Sequence, residues 1–86
     1  MSLWSKTMFL HVVRAEYVDE HRVHLWFNDD TDGQVDLGPV LNGPIFERLE
    51  DVAFFRQFRV MGHTIAWENG ADFAPEYLHG LVHRGV

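Results

Sequence analysis

An 86-residue chain with a formal charge of −6 and no cysteine reads as one small acidic domain, which excludes disulfide stapling and thiolate chemistry. Its Lys and Arg residues total 7 and are scattered, so no basic cluster is present to hold a nucleic-acid backbone, and no direct nucleic-acid binding is expected. No apolar run approaches the ~20 residues of a bilayer span, and MSLWSKTMFL lacks the apolar core and cleavage site of a signal peptide, so a cytoplasmic protein with no membrane partner is expected.

Residues 1–7 read as a loose arm, 8–82 as a single α+β domain and 83–86 as a frayed tail. The first strand is expected from about Phe9 to Tyr17, with Val13, Ala15 and Tyr17 inward and Arg14 and Glu16 outward. Val18 to His21 make the turn. The second strand, Arg22 to Asn28, puts Val23, Leu25 and Phe27 on the core face, and so puts His24 and Trp26 on the opposite face. Asn28, Asp29, Asp30, Thr31, Asp32 and Gly33 form a turn cluster in which Asp-Gly is the hairpin signal. A third strand, Gln34 to Leu37, turns Val35 and Leu37 inward and completes an antiparallel meander.

Pro44 starts a short helix over Ile45 to Glu50. Asp51 is the N-cap of a second, Val52 to Gln57. Phe54, Phe55 and Phe58 supply much of the aromatic core; the chain carries 7 Phe, 3 Trp and 2 Tyr, and each large ring buries about 150–250 Å². Val60, Ile65 and Trp67 are strand formers around a tight turn at Gly62. Asn69-Gly70 marks another turn. Pro75 begins a final helix whose stripe is Tyr77, Leu78, Leu81 and Val82, and Asp72 is placed to cap it.

The chemistry open to these residues is limited. Asp29, Asp30, Asp32 and Gly33 lack the spacing of a calcium loop and read as a solvated turn. His79 and His83 lie four apart, as zinc ligands on a helix do, but Gly80 and Gly85 weaken that helix and no third ligand is near. Ser2 and Ser5 lie in the arm and Thr31 and Thr64 at turns, so no nucleophile stands beside a base. Glu68 and Asp72 flank a turn and a helix start, where a cap is the expected role for Asp72. No catalytic residue, metal or cofactor is expected. Trp67 reads as a core anchor. Trp26 has three readings: contact with a partner, with a second copy, or with the helix layer.

The order of these features resembles the small bacterial family known as domain of unknown function 2442. The resemblance rests on Val23 to Phe27 followed by acids and Gly33, on the Phe46, Leu49 and Phe55 helix segment, and on Ile65, Trp67, Gly70, Asp72, Pro75 and Leu78. These last residues look like the family's Trp-x-x-Gly-x-Asp signature, with Glu68 where proline usually follows the Trp. The resemblance implies no established activity or cofactor. It implies a stand-alone form of a domain that is elsewhere fused to a helix-turn-helix unit, or encoded beside another small protein in a toxin-and-antitoxin-like arrangement.

The expected fold is α+β: an antiparallel sheet of the three-strand meander plus the later hairpin, with short helices on one face. The leading expectation for function is a protein-interaction module, antitoxin-like or regulatory, that masks a basic site using His24, Trp26, Asp29, Asp30 and Asp32. Its partner would be another protein, toxin-like, or a second copy in a homodimer. The alternatives are an accessory domain of a DNA-associated regulator and a metal- or small-molecule-binding protein.

Overall fold

The computed structural model describes residues 10–84; the arm at 1–7 and the last two residues of the expected tail lie outside them. Strands β1 (Val12–Asp19), β2 (Arg22–Phe27) and β3 (Asp32–Asp36) form an antiparallel sheet in that order. Two 3-10 turns, Gly38–Val40 and Pro44–Glu50, lead into helix α1 (Val52–Phe55). The hairpin β4 (Arg59–Met61) and β5 (Thr64–Ala66) is a separate two-stranded sheet, and helix α2 (Pro75–Arg84) closes the chain. This is the α+β arrangement read from the sequence. The hairpin is tied to the meander by the Val12 N–H, which donates to the His63 carbonyl at 2.8 Å.

Alternation in β2 fixes the faces. Val23, Leu25 and Phe27 are buried, with Val35 of β3 beside them. Leu25 lies between Ala15 and Gly33, and Val23 between Tyr17 and Val35. Strand β1 departs from plain alternation. Its register shifts between Val12 and Arg14, so Val13 is the extra residue of a bulge and points out, 51% exposed, while Val12 is buried. An inserted residue reverses the face of everything before it. The expectation that Val13 faces inward is therefore corrected.

The expected Asp-Gly turn is also corrected. The turn is Asn28 to Thr31, where the Phe27 N–H donates to the Thr31 carbonyl at 2.9 Å and Asp30 takes the left-handed φ of 70°. Asp32 and Gly33 belong to β3. Gly33 serves a different purpose: a Cβ there would lie 2.9 Å from Val82 Cγ1 of α2.

The aromatic half of the core grows from the loop signals. The Asp51 side chain caps α1, accepting from the Ala53 N–H at 3.1 Å, and α1 buries Phe54 and Phe55. The Trp67 indole N–H donates to the Phe55 carbonyl at 2.7 Å, and the ring packs against Phe55, Phe58 and Phe73. Gly62, at φ 64°, opens the hairpin turn, and Gly70, at φ 93°, the turn after Trp67. Pro75 begins α2 as expected, but Ala74, not Asp72, stands at its cap: the Ala74 carbonyl accepts from Tyr77 and Leu78. Asp72 instead bridges Ala66 through its backbone. The helix runs on through His83 and Arg84, where fraying was expected; cations in a last turn are favoured by the helix dipole.

Candidate functional site

The outer face of the three-stranded sheet collects Arg14 and Glu16 from β1, His24 and Trp26 from β2, and Asp32 and Gln34 from β3. Register explains the grouping: Trp26 lies between Arg14 and Asp32, and His24 between Glu16 and Gln34. Arg14, Glu16, Asp32 and Gln34 are exposed and the two rings half-buried. The helices pack on the other face, where Val82 meets Gly33.

The contacts on this face are mutual. The His24 and Trp26 rings stack with centroids 4.1 Å apart and planes 24° from parallel. The Arg14 guanidinium lies over the Trp26 ring at 4.7 Å and pairs with Glu16. His24 Nε2 is 2.7 Å from Asp32 Oδ2. A cation over an indole and a carboxylate on the stacked imidazole restrain Trp26 to one orientation. The result is an aromatic plate edged by both signs of charge.

The acids of the neighbouring turn divide. Asp30 is exposed at the tip. Asp29 turns away toward α2: its Oδ1 accepts the Thr31 N–H at 3.0 Å and its Oδ2 lies 2.9 Å from His79 Nε2. Burial alone would raise the Asp29 carboxyl, but hydrogen bonds from Thr31 and from His79, with the His79 charge, outweigh it and hold the group below its ordinary range. His79 stands edge-on to Phe27 at 5.0 Å and lies 4.5 Å from the His83 ring. Asp29 thus fastens the helix to the sheet rather than facing a ligand.

Of the expected set, His24, Trp26 and Asp32 come together, Asp30 lies exposed at the turn tip, and Asp29 is diverted. Trp67 and Gly70 serve the core and its turn, and Pro75 starts α2. Arg14 was missed, because only strand register, not sequence spacing, sets it opposite Trp26. His21 packs against the Phe55 ring. Its Nε2 lies 2.9 Å from the Leu49 carbonyl and 3.1 Å from that of Glu50; both are acceptors, so the ring nitrogen carries the proton.

Among the described residues no group of three or more His, Asp or Glu side chains converges as a metal ion requires. A cleft of about 340 Å³ beside α2 is lined by Asp36, Pro39, Val40, Tyr77, Leu81 and Arg84. Its charged groups are Asp36 and Arg84.

The family model described as a protein of unknown function (DUF2442) matches residues 12–83, from the first residue of β1 into the last turn of α2. No curated protein and no solved structure matches the chain. No helix among the described residues is long and apolar enough to cross a membrane.

Proposed function

The chain belongs to the protein family of unknown function DUF2442, and we propose that it is a protein-interaction module whose docking surface is the outer face of the three-stranded sheet. The observation that carries this reading is Trp26, a half-buried indole on a sheet face that no helix among the described residues covers, held between Arg14 and His24. A ring ordered in advance loses little freedom on binding, and aromatic anchors of this kind dominate interface energetics. The partner is another protein with a basic rim, drawn by the net charge of −6 and by Asp32 and Glu16 around the plate. In its finer form the role is antitoxin-like or regulatory: the domain masks a basic site and performs no chemistry of its own.

Co-purification with the product of the neighbouring gene, repeated across a salt series, is the test. The reading expects a complex that weakens with salt, and Trp26→Ala should reduce affinity by about 2 kcal/mol or more, the cost of truncating a hot spot. Far-UV circular dichroism of Trp26→Ala should match the parent, since the ring lies outside the core. Failure to form a complex at any salt, or a complex indifferent to Trp26→Ala, overturns it.

A further inference from the structure

Strand β4 is an edge of a particular kind. Strand β5 is covered on its far side, where the Trp67 N–H donates to the Ala71 carbonyl at 2.9 Å and Ala66 bridges Asp72. Thr64 and Ile65 are accordingly buried, whereas Arg59, Val60 and Met61 are all exposed. The turn at Gly62-His63 joins a directly paired Met61 and Thr64. Residues flanking such a turn exchange both hydrogen bonds, so the next pair, Val60 with Ile65, does not. The Val60 N–H and C=O therefore point away from β5.

The other sheet edges are blunted. Strand β1 has register shifts at Val13 and Val18 and carries Arg14 and Glu16. Strand β3 has Asp32 and Asp36 at its ends. Bulges and charges are how edges avoid pairing with other chains. Strand β4 has no proline, bulge or acid, carries a single charge at Arg59, and presents Val60 at 40% and Met61 at 56% exposure. Beside it lies a cleft of about 230 Å³ lined by Arg59, Met61, Ala66, Trp67 and Glu68. Arg59 and Glu68 make no ion pair among the described residues.

We propose that β4 pairs antiparallel with β4 of a second copy of this chain, around a two-fold axis at Val60. Both outward groups belong to one residue, so Val60 of each copy donates to and accepts from the other, and Arg59 lies across from Met61. The apolar Val60 and Met61 leave water in the seam. Each copy brings Arg59 and Glu68, one charge of each sign, to the cleft, so this surface does not repel its own image despite the acidic total. Strand β1 lies against both strands of the hairpin and bonds its turn through Val12 and His63, yet Val60 and Met61 keep 40% and 56% exposure. A three-residue edge is short against the ~1,200–2,000 Å² of a stable interface, so the dimer is a weak one that forms as concentration rises.

Sedimentation equilibrium over a concentration series, with residue-resolved amide exchange at both ends of it, tests this. The expected result is a monomer–dimer equilibrium in which the Val60 amide becomes protected with concentration. Val60→Asp sets like charges opposite one another and should raise the dimer dissociation constant roughly tenfold or more. Val60 is 40% exposed in the monomer, and circular dichroism of Val60→Asp checks that the fold is kept. Trp26→Ala should leave the equilibrium as it is, which separates this seam from the sheet face proposed for the partner. A monomer at every concentration, a dimer unmoved by Val60→Asp, or a dimer abolished by Trp26→Ala would overturn the proposal.

Discussion

Gly33 shows what a single side-chain atom decides in this protein. It lies opposite Leu25 in the β2–β3 pairing, and an added Cβ would stand 2.9 Å from Val82 Cγ1. That is inside the range where something must move, and Val82 is half-buried against the core. Gly33→Ala should therefore destabilise the domain by about 1–3 kcal/mol, the usual cost of overpacking. Val82→Ala should return most of that loss in the double variant, because it removes the atoms in conflict, and a urea-unfolding cycle measures the coupling. Equal losses with and without Val82 would mean that strand propensity, not the helix contact, is the cause. The sequence offers Gly33 only as the second half of an Asp-Gly turn. Its actual role depends on α2, far along the chain, and nothing local to residue 33 carries that information. Trp67 is the opposite case: its size and its place after a strand already mark a core anchor, and the indole N–H bond to the Phe55 carbonyl adds only the detail of its partner.

At the level of elements, those that stop or start with a stereochemical signal were legible. Pro44 and Pro75 open helical segments, Asn69-Gly70 turns, and Gly62 takes the positive φ that a two-residue hairpin wants at its first position. Asp51 caps α1 through the Ala53 N–H. That helix is only Val52–Phe55, too short to persist on its own, so the cap matters to how Phe54 and Phe55 enter the core. Asp51→Ala should cost about 0.5–2 kcal/mol, and Asp51→Asn much less, since an amide oxygen still accepts. Thermal unfolding of the two variants side by side checks it; equal losses would place the effect in charge rather than in the cap. What was not legible was counting. Val13 looks inward in a strict two-residue period, and only the bulge between Val12 and Arg14 puts it outside. A bulge leaves no compositional mark, so the inner face of β1 was read correctly at Ala15 and Tyr17 and wrongly before them. The candidate face followed the same rule: His24 and Trp26 came from the alternation of β2 alone, whereas Arg14 needed the pairing of two strands.

Across the whole molecule, acids hold the layers and the turns together, and this links stability to pH. Asp29 joins the β2–β3 turn to α2 through His79, and Asp19 joins the two ends of the β1–β2 hairpin through Arg22 at 2.6 Å. The Asp19 carboxyl is lowered from its ordinary value chiefly by the hydrogen bond from Arg22. At Asp29 burial opposes the lowering, and the bonds from Thr31 and His79 prevail. A carboxyl that ionises more readily in the folded chain than in the unfolded chain gives stability that is present above the unfolded pKa, near 3.9 for Asp. As pH falls below that value the unfolded state takes up protons first, and the contribution is lost as pH drops through the folded pKa. Stability should therefore decline on the acid side, starting near pH 5 and continuing downward. Both carboxylates are largely solvent-accessible, so each contribution is small and screened by salt. Asp29→Asn isolates the larger structural link, because the amide oxygen can still accept the Thr31 N–H and keep the turn while no longer titrating. Denaturant unfolding at a series of pH values should give Asp29→Asn a shallower acid limb than the parent, with the two curves drawing together at the lowest pH. Parallel curves through that range would show that the Asp29–His79 contact carries none of the acid sensitivity, and would leave the docking of α2 to Val82, Leu78 and Leu81 alone.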